Sequence, residues 1–258
     1  SSSSVAVEHA ELVVSQRMED VLHAQMASRE HFDVQSQRER DMLRALEASR
    51  VEKIHSPMEA QQIRQQAAQF FFPLCRKSLN SSLCWFDSMA LFDRVSAVAP
   101  HLVTSEALLL TCVAVFGMIE KSNVQGGCPH LSSSDVVKEW KAVSAMTPLE
   151  DHPMPVEEET PETGVKDREI AIFKALEGHV VGLPSALAWL STIVLRCNVI
   201  SEGFLAELLR WVWENGRAEM TKAVAHRSTC TDFAPLGIAR ALFFMSMVQV
   251  GLIPSETL

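Results

Sequence analysis

Apolar residues recur at three- and four-residue spacings along most of the 258-residue chain. Near the N-terminus, Val14, Met18, Val21, Leu22 and Met26 form one apolar stripe on an otherwise polar segment, and later segments repeat the pattern as far as the C-terminus. This spacing matches the 3.6 residues of an α-helical turn, whereas the alternating pattern of a half-buried strand flanked by turn residues is absent. The sequence therefore predicts an all-α fold.

Local signals predict where several of these helices begin and end. Residues Arg38–Arg50 are expected to form a second, short N-terminal helix. Pro73 is expected to kink or end a helical turn, because proline lacks the amide proton that a helix interior uses. Thr104 or Ser105 is expected to cap the helix that follows, since a hydroxyl oxygen can accept a free amide at a helix N-terminus.

The capped helix contains an unusually apolar stretch. Leu108–Asn123 is apolar in eleven of its first twelve residues and then presents Glu120 and Lys121 side by side. A helix that is apolar on every side belongs in a protein core, yet a charged pair at its end needs water or a partner. The pair is therefore a candidate contact point at the edge of a buried helix.

The charge and the cysteine content limit the class of function. A net charge of −9 disfavours a nucleic-acid-binding surface as the main activity. No apolar run approaches the roughly 18 residues that a membrane-spanning helix needs, so no membrane contact is expected. The six cysteines are scattered without a close pair, which is typical of reduced thiols inside a cell.

Sequence motifs for catalysis and for cofactor binding are absent. The chain has no phosphate-binding glycine loop, no dinucleotide-binding glycine pattern and no zinc-protease histidine pair. Cys128 and His130 lie two residues apart, but no second ligand pair stands at metal-site spacing. His179, between apolar residues, is expected to be a core or boundary side chain. We therefore expect neither an enzyme nor a bound metal or cofactor.

Residues Thr147–Gly164 form a segment that is rich in proline and acidic residues and has few apolar side chains. Such a segment cannot bury enough apolar surface to order itself, so we expect disorder there. Ser-Pro or Thr-Pro pairs begin at Ser56, Thr147 and Thr160, in predicted loops. These three residues are candidate sites of proline-directed phosphorylation.

The order of the predicted helices and the spacing of a few charged residues resemble the cyclin family. Arg64 stands 29 residues before the pair Asp93–Arg94, as the arginine of the first cyclin-box helix stands before the Asp-Arg that closes the second. Lys121 ends the third helix, where cyclins have a lysine. Glu169 begins a segment that is similar to the family's fifth helix.

The resemblance implies a cyclin-like arrangement of helices. An N-terminal helical region would span residues 1–57, and a complete five-helix cyclin box would span residues 58–182, with the acidic insertion at 147–164. An incomplete second box would span residues 183–258. Phe173, within the fifth helix of the first box, is expected in the core.

The same resemblance implies a function. Cyclins use the lysine and the glutamate to hold a protein kinase, so Lys121 and Glu169 are expected to contact and activate a cyclin-dependent-type Ser/Thr kinase, which performs the phosphoryl transfer. The protein would then act in the nucleus or the cytoplasm, with the kinase and its protein substrates as partners. The alternative is a cyclin-fold scaffold that binds no kinase, similar to transcription factor IIB or the retinoblastoma pocket.

Two departures from the family concern the first box helix. Gln69 stands where the family has an aspartate five residues after Arg64, so the internal arginine–aspartate ion pair is expected to be lost. Many cyclins also bind Arg-x-Leu-type peptides in a groove on this helix. The matching positions here offer little apolar surface, so we expect weak or no binding of such peptides. These positions are Ile63, Arg64, Gln65, Gln66, Ala67 and Phe70.

Overall fold

The computed structural model describes residues 23–41, 43–44, 56–75, 81–122, 138, 161–180, 184–226 and 234–254. These residues form α-helices joined by turns and contain no strand, so the predicted all-α class is confirmed for them. The helices are α1 (23–41), α2 (Pro57–Cys75), α3 (Ser81–Val98), α4 (Leu108–Ser122), α5 (Pro161–Ala175), α6 (Ala186–Ile200), α7 (Ala206–His226) and α8 (Pro235–Gln249), with a 3₁₀ turn at Pro100–Leu102.

The chain divides into two compact units. The central unit contains Met42–Ser185 and Thr221–Ala234, and the terminal unit contains Ser1–Asp41, Ala186–Met220 and Pro235–Leu258. The division predicted from the sequence, with boundaries after residues 57 and 182, stays a prediction.

Helix α4 forms the centre of the central unit, where it packs against α2, α3 and α5. Every residue from Thr111 to Gly117 is buried. A helix that is apolar on all sides is stable only when neighbours cover all its faces, and three surrounding helices do so here. The one hydroxyl in this stretch, on Thr111, donates a hydrogen bond to the carbonyl of Leu102.

Two predicted helix ends differ from the structure. Arg38 lies inside α1, so the predicted separate helix does not begin there, because no glycine or proline interrupts the segment. Helix α4 begins at Leu108, later than the predicted caps Thr104 and Ser105 imply. The Thr104 hydroxyl instead accepts a hydrogen bond from the Ala107 amide, at 3.3 Å, in the turn before the helix. Pro73 lies in the last turn of α2, which ends two residues later at Cys75, and the predicted kink stays a prediction.

Helix α5 begins earlier than the sequence indicated. It begins at Pro161, so the prediction of disorder over Thr147–Gly164 is wrong for its last four residues. Proline suits the first position of a helix because the amide that it lacks has no partner there. Residues 147–160 lie outside the described part of the chain.

The terminal unit is built around Trp189, which is fully buried. Its ring contacts Phe32 of α1 edge to face, with 5.4 Å between the ring centroids, and its indole N–H donates to Glu39. The other carboxylate oxygen of Glu39 accepts the backbone amide of Leu236 at 3.1 Å. Glu39 thereby satisfies one of the free amides at the start of α8.

Glu39 makes the stability of the terminal unit depend on pH. Burial raises the pKa of Glu39 above its ordinary value of 4.5, against the opposing effects of its two hydrogen bonds and of Arg240. The native state thus binds a proton more tightly than the unfolded state, and lowering the pH from neutral towards 4.5 should stabilise wild type relative to Glu39→Gln. Urea unfolding of both proteins between neutral pH and that value tests this; parallel curves would contradict it.

Replacing each of two glycines in the terminal unit by alanine should change the stability of the protein in opposite directions. A Cβ on Gly216 would lie 2.9 Å from Cδ2 of the fully buried Leu190, whereas a Cβ on Gly237 would meet nothing within 4 Å. In Gly216→Ala, crowding in the core should cost about 1–3 kcal/mol of folding free energy. This cost exceeds the gain of about 1 kcal/mol that alanine brings through its higher helix propensity. We therefore expect Gly216→Ala to lower the unfolding midpoint and Gly237→Ala to raise it slightly, as measured by thermal circular dichroism. Equal effects would contradict this packing.

Candidate functional site

Lys121 and Glu169 meet across α4 and α5. Lys121 lies in the last turn of α4, and its Nζ is 2.7 Å from both Oε1 and Oε2 of Glu169 on α5. The two side chains are 34% and 15% exposed. The structure thus brings together the two residues that the resemblance assigns to kinase binding and leaves part of the ion pair open to solvent. Their predicted role stays a prediction.

Glu120, the neighbour of Lys121, contacts a buried thiol. Its Oε1 accepts a hydrogen bond of 3.2 Å from the thiol of Cys84. The pKa of Cys84 is raised far above its ordinary value by hydrogen bonding to Cys75, by burial and by the charge of Glu120, so the thiol stays protonated. The two adjacent charged residues that end α4 therefore contact different parts of the central unit, and sequence spacing gave no signal of this thiol contact.

Arg94 positions the end of α5. Its guanidinium donates to the carbonyl of His179 at 2.9 Å and to that of Val180, both in the turn after α5. Burial lowers the pKa of Arg94 to about 10, with Asp87 opposing the shift, so the side chain is still charged at neutral pH. A buried cation that binds two carbonyls stabilises this turn, and with it the orientation of α5.

The turn itself depends on Gly178. Glu177 and Gly178 both have positive φ, and the Gly178 amide donates to the Phe173 carbonyl at 2.9 Å, which closes the helix. A Cβ on Gly178 would lie 3.3 Å from the ring of Phe173. Glycine thus permits both the backbone conformation and the close approach of this ring.

Two apolar side chains are exposed beside the ion pair. Ile170 is 51% exposed and Phe173 is 53% exposed. Phe173 lies four residues after Glu169, so the two share one face of α5. The prediction that Phe173 belongs to the core is therefore wrong, and the fully buried residue of this segment is Ile172. We call Lys121, Glu169, Ile170 and Phe173 the α4–α5 surface.

Arg64 forms a buried ion pair with Asp93, a partner that was not predicted from the sequence. Its Nε lies 2.7 Å from Oδ1 of Asp93, and a second guanidinium nitrogen lies 3.0 Å from Oδ2. Arg64 also donates to the carbonyl of Val224 in the last turn of α7. Gln69 does remove a same-helix partner, but Asp93 on α3 supplies the carboxylate instead.

The predicted peptide-docking positions on α2 lie in the core of the central unit. Ile63, Arg64, Ala67 and Phe70 are all buried, whereas Gln65 and Gln66 are half-buried. The expected weakness of Arg-x-Leu binding stays a prediction.

The remaining sequence candidates have ordinary structural positions or lie outside the described residues. Ser56 caps α2, because its Oγ accepts the Glu59 amide at 3.2 Å. The side chain of His179 is exposed, so its predicted core or boundary position is wrong; its backbone carbonyl is the group in contact. Thr147, Thr160, Cys128 and His130 lie outside the described residues.

Neither a metal centre nor a membrane span is found where the structure is described. Those residues contain no group of three or more side chains that could hold a metal ion. None of the helices there has both the length and the hydropathy needed to cross a bilayer. No protein-family model, curated protein or solved structure matches the chain.

Proposed function

We propose that the chain is a non-catalytic regulatory subunit of the cyclin type that binds and activates a cyclin-dependent-type Ser/Thr kinase. The observation that supports this most directly is the Lys121–Glu169 ion pair. It joins residues that are 48 positions apart in the sequence at an accessible edge, with exposed apolar side chains next to them. An apolar contact area with fixed charged groups at its margin is what a specific protein interface requires.

Each part of the α4–α5 surface has a separate task in this proposal. Burial of Ile170 and Phe173 against the kinase supplies affinity, while Lys121 and Glu169 set the orientation through charge-assisted hydrogen bonds. Because Lys121 and Glu169 already hold each other in place, little side-chain freedom is lost when the kinase binds. The bound subunit then holds the kinase αC helix so that its glutamate pairs with the catalytic lysine.

Several buried contacts support a cyclin-box arrangement in the central unit. The Arg64–Asp93 pair connects α2 with α3, and Arg94 connects α3 with the turn after α5. With α4 at the centre, these two arginines brace the helices that surround it. In this proposal the box is a rigid support that fixes the distance between Lys121 and the exposed residues of α5.

Affinity purification followed by a kinase assay tests the proposal. The tagged chain should retain a Ser/Thr kinase that phosphorylates a generic basic substrate, and adding purified chain to that kinase should raise its activity. A matched purification with Lys121→Glu controls for kinases that bind the resin or the tag. If the folded wild-type chain retains no kinase, or retains one without changing its activity, a scaffold function replaces the proposed one.

Phe173 should contribute to kinase binding more than to folding. Phe173→Ala removes a half-exposed ring, so we expect binding to weaken by about 1–2 kcal/mol, or roughly five- to thirtyfold, with a smaller loss of stability. Phe72→Ala is the matched control, because Phe72 is 49% exposed in the same unit but belongs to α2. Titration of the purified kinase, monitored by its activity, measures both. Equal losses for the two variants would contradict the α4–α5 surface.

A further inference from the structure

The terminal unit contains an open cleft that the proposed kinase contact does not use. Its volume is about 380 Å³, which is within the range of binding clefts. Helix α6 forms one wall, α8 forms the other, and Phe32 of α1 lies between them. Its lining includes Phe32, Ile193, Arg196, Ile200, Arg240 and Phe243.

Both walls are helix-packing faces. The α6 residues lie at positions i, i+3, i+4 and i+7 beginning at Ile193, and the α8 residues lie at i, i+3 and i+4 beginning at Arg240. These are the spacings by which one helix packs against another, and α6 and α8 do pack against each other. Ile200 is nevertheless 54% exposed, and all the fully buried residues of α6 lie in its first five positions. The apolar second half of α6 therefore has an open face.

Two arginines give this apolar cleft a positive charge. The guanidinium carbons of Arg196 and Arg240 lie 4.9 Å and 5.7 Å from the centroid of the Phe32 ring. No ion pair with either arginine is found in the part of the chain that the structure describes. The charge of Glu39 acts on Arg240, but its carboxylate oxygens are engaged by Trp189 and by the Leu236 amide.

We propose that this cleft binds one amphipathic helix of another protein, with apolar residues on one face and a carboxylate at its centre. The carboxylate would lie between Arg196 and Arg240, and the apolar residues would cover Ile193, Ile200 and Phe243. The α6 wall is eight residues long, from Ile193 to Ile200, so it would contact about 10 Å, or two turns, of the bound helix. The proposal is independent of the kinase contact, because it concerns the terminal unit only.

Charge complementarity favours this occupant over a second copy of the chain. A two-fold dimer through the cleft would place the same patch against itself, and thus Arg196 and Arg240 against their own copies. Like charges in a desolvated contact oppose association. A helix from another protein can instead present the opposite charge at that position.

Binding of designed helical peptides to the full chain tests the proposal. One fluorescein-labelled peptide of about 15 residues has leucines at i, i+3, i+4 and i+7 and a central glutamate, and a second has lysine in place of the glutamate. We expect saturable binding of the glutamate peptide and at least about tenfold weaker binding of the lysine peptide, measured by fluorescence polarisation. Absence of saturable binding by the glutamate peptide would overturn the proposal.

Variants of the cleft locate the binding site. Combining Arg196→Met with Arg240→Met should remove the preference for glutamate, and Ile200→Glu should weaken binding of both peptides. Leu195→Glu is the matched control, because Leu195 is 63% exposed on the same helix but does not line the cleft. Circular dichroism checks that every variant is folded. A helix-binding cleft would be overturned if the double variant kept the preference for glutamate, or if the two glutamate substitutions had equal effects. It would also be overturned if dodecanoate, a fatty acid that tests for a lipid site, displaced the peptide completely.

Discussion

Replacing Arg64 by alanine should lower the free energy of unfolding of the central unit by about 3–5 kcal/mol. The side chains of Arg64 and Asp93 are only 5% and 13% exposed, and the pair is bidentate, at 2.7 Å and 3.0 Å. The substitution leaves the Asp93 carboxylate buried without its cation and the Val224 carbonyl without its donor. Both groups then lose hydrogen bonds that water can replace only by entering the core.

Two controls separate this effect from a general cost of removing an arginine. Arg29→Ala breaks an exposed pair with Asp33, whose side chains are 76% and 63% exposed, and should cost less than about 0.5 kcal/mol. Arg64→Met combined with Asp93→Leu removes both charges together and should recover much of the lost stability, because no unpaired charge stays buried. Urea unfolding followed by circular dichroism measures all three. A loss below about 1 kcal/mol for Arg64→Ala would contradict the buried pair.

Reversal of either charge in the α4–α5 surface should weaken kinase binding by about 2–5 kcal/mol, a thirtyfold or larger loss of affinity. In Lys121→Glu, the new carboxylate lies beside Glu169 and cannot satisfy a kinase group that faced a cation. Glu169→Lys creates the corresponding repulsion with Lys121. The cost to folding is expected to be about 1–3 kcal/mol, because the Glu169 side chain is only 15% exposed, whereas the Lys121 side chain is 34% exposed and more easily solvated.

Ile172→Ala provides the contrasting result for this prediction. Ile172 is fully buried on α5, so its truncation should lower stability by about 2–4 kcal/mol while leaving the charged groups in place. At a temperature where Ile172→Ala is folded, it should bind the kinase with the affinity of wild type. Thermal unfolding and kinase titration of Lys121→Glu, Glu169→Lys and Ile172→Ala distinguish an interface residue from a core residue.

The sequence predicted the helical class and the most buried helix because both depend on local pattern. Eleven apolar residues among the twelve from Leu108 to Ile119 leave no polar face, and the structure buries α4 at the centre of its unit. The spacing from Arg64 to Asp93 was part of the resemblance to the cyclin family, although the ion pair between the two residues was not expected. A contact between two helices depends on how they pack, and residue spacing alone does not define it.

Other features could not be predicted for similar physical reasons. Phe173 is apolar and lies in an amphipathic helix, but its exposure depends on which faces of α5 are covered by α3 and α4. Cys84 and Glu120 are 36 residues apart, and only the packing of α3 on α4 brings them together. The start of α5 at Pro161 was missed because acidic residues and proline are compatible both with disorder and with a first helical turn.

The double variant Lys121→Glu, Glu169→Lys provides the most direct test of the proposed function. It restores an ion pair between α4 and α5 with reversed polarity, so its stability should be close to that of wild type. A kinase that recognises the polarity of the pair should still bind it at least about thirtyfold more weakly. If the Lys121–Glu169 pair only stabilised the fold, the double variant would bind the kinase as wild type does, because its reversed ion pair restores that stability.

The decisive measurement is the activity of the co-purified kinase as a function of the concentration of each chain. We expect wild type to activate the kinase, both single reversals to fail to do so at the same concentration, and the folded double variant also to fail. Activation by the double variant at wild-type concentrations, or by a folded single reversal, would contradict the assignment of Lys121 and Glu169 to kinase binding.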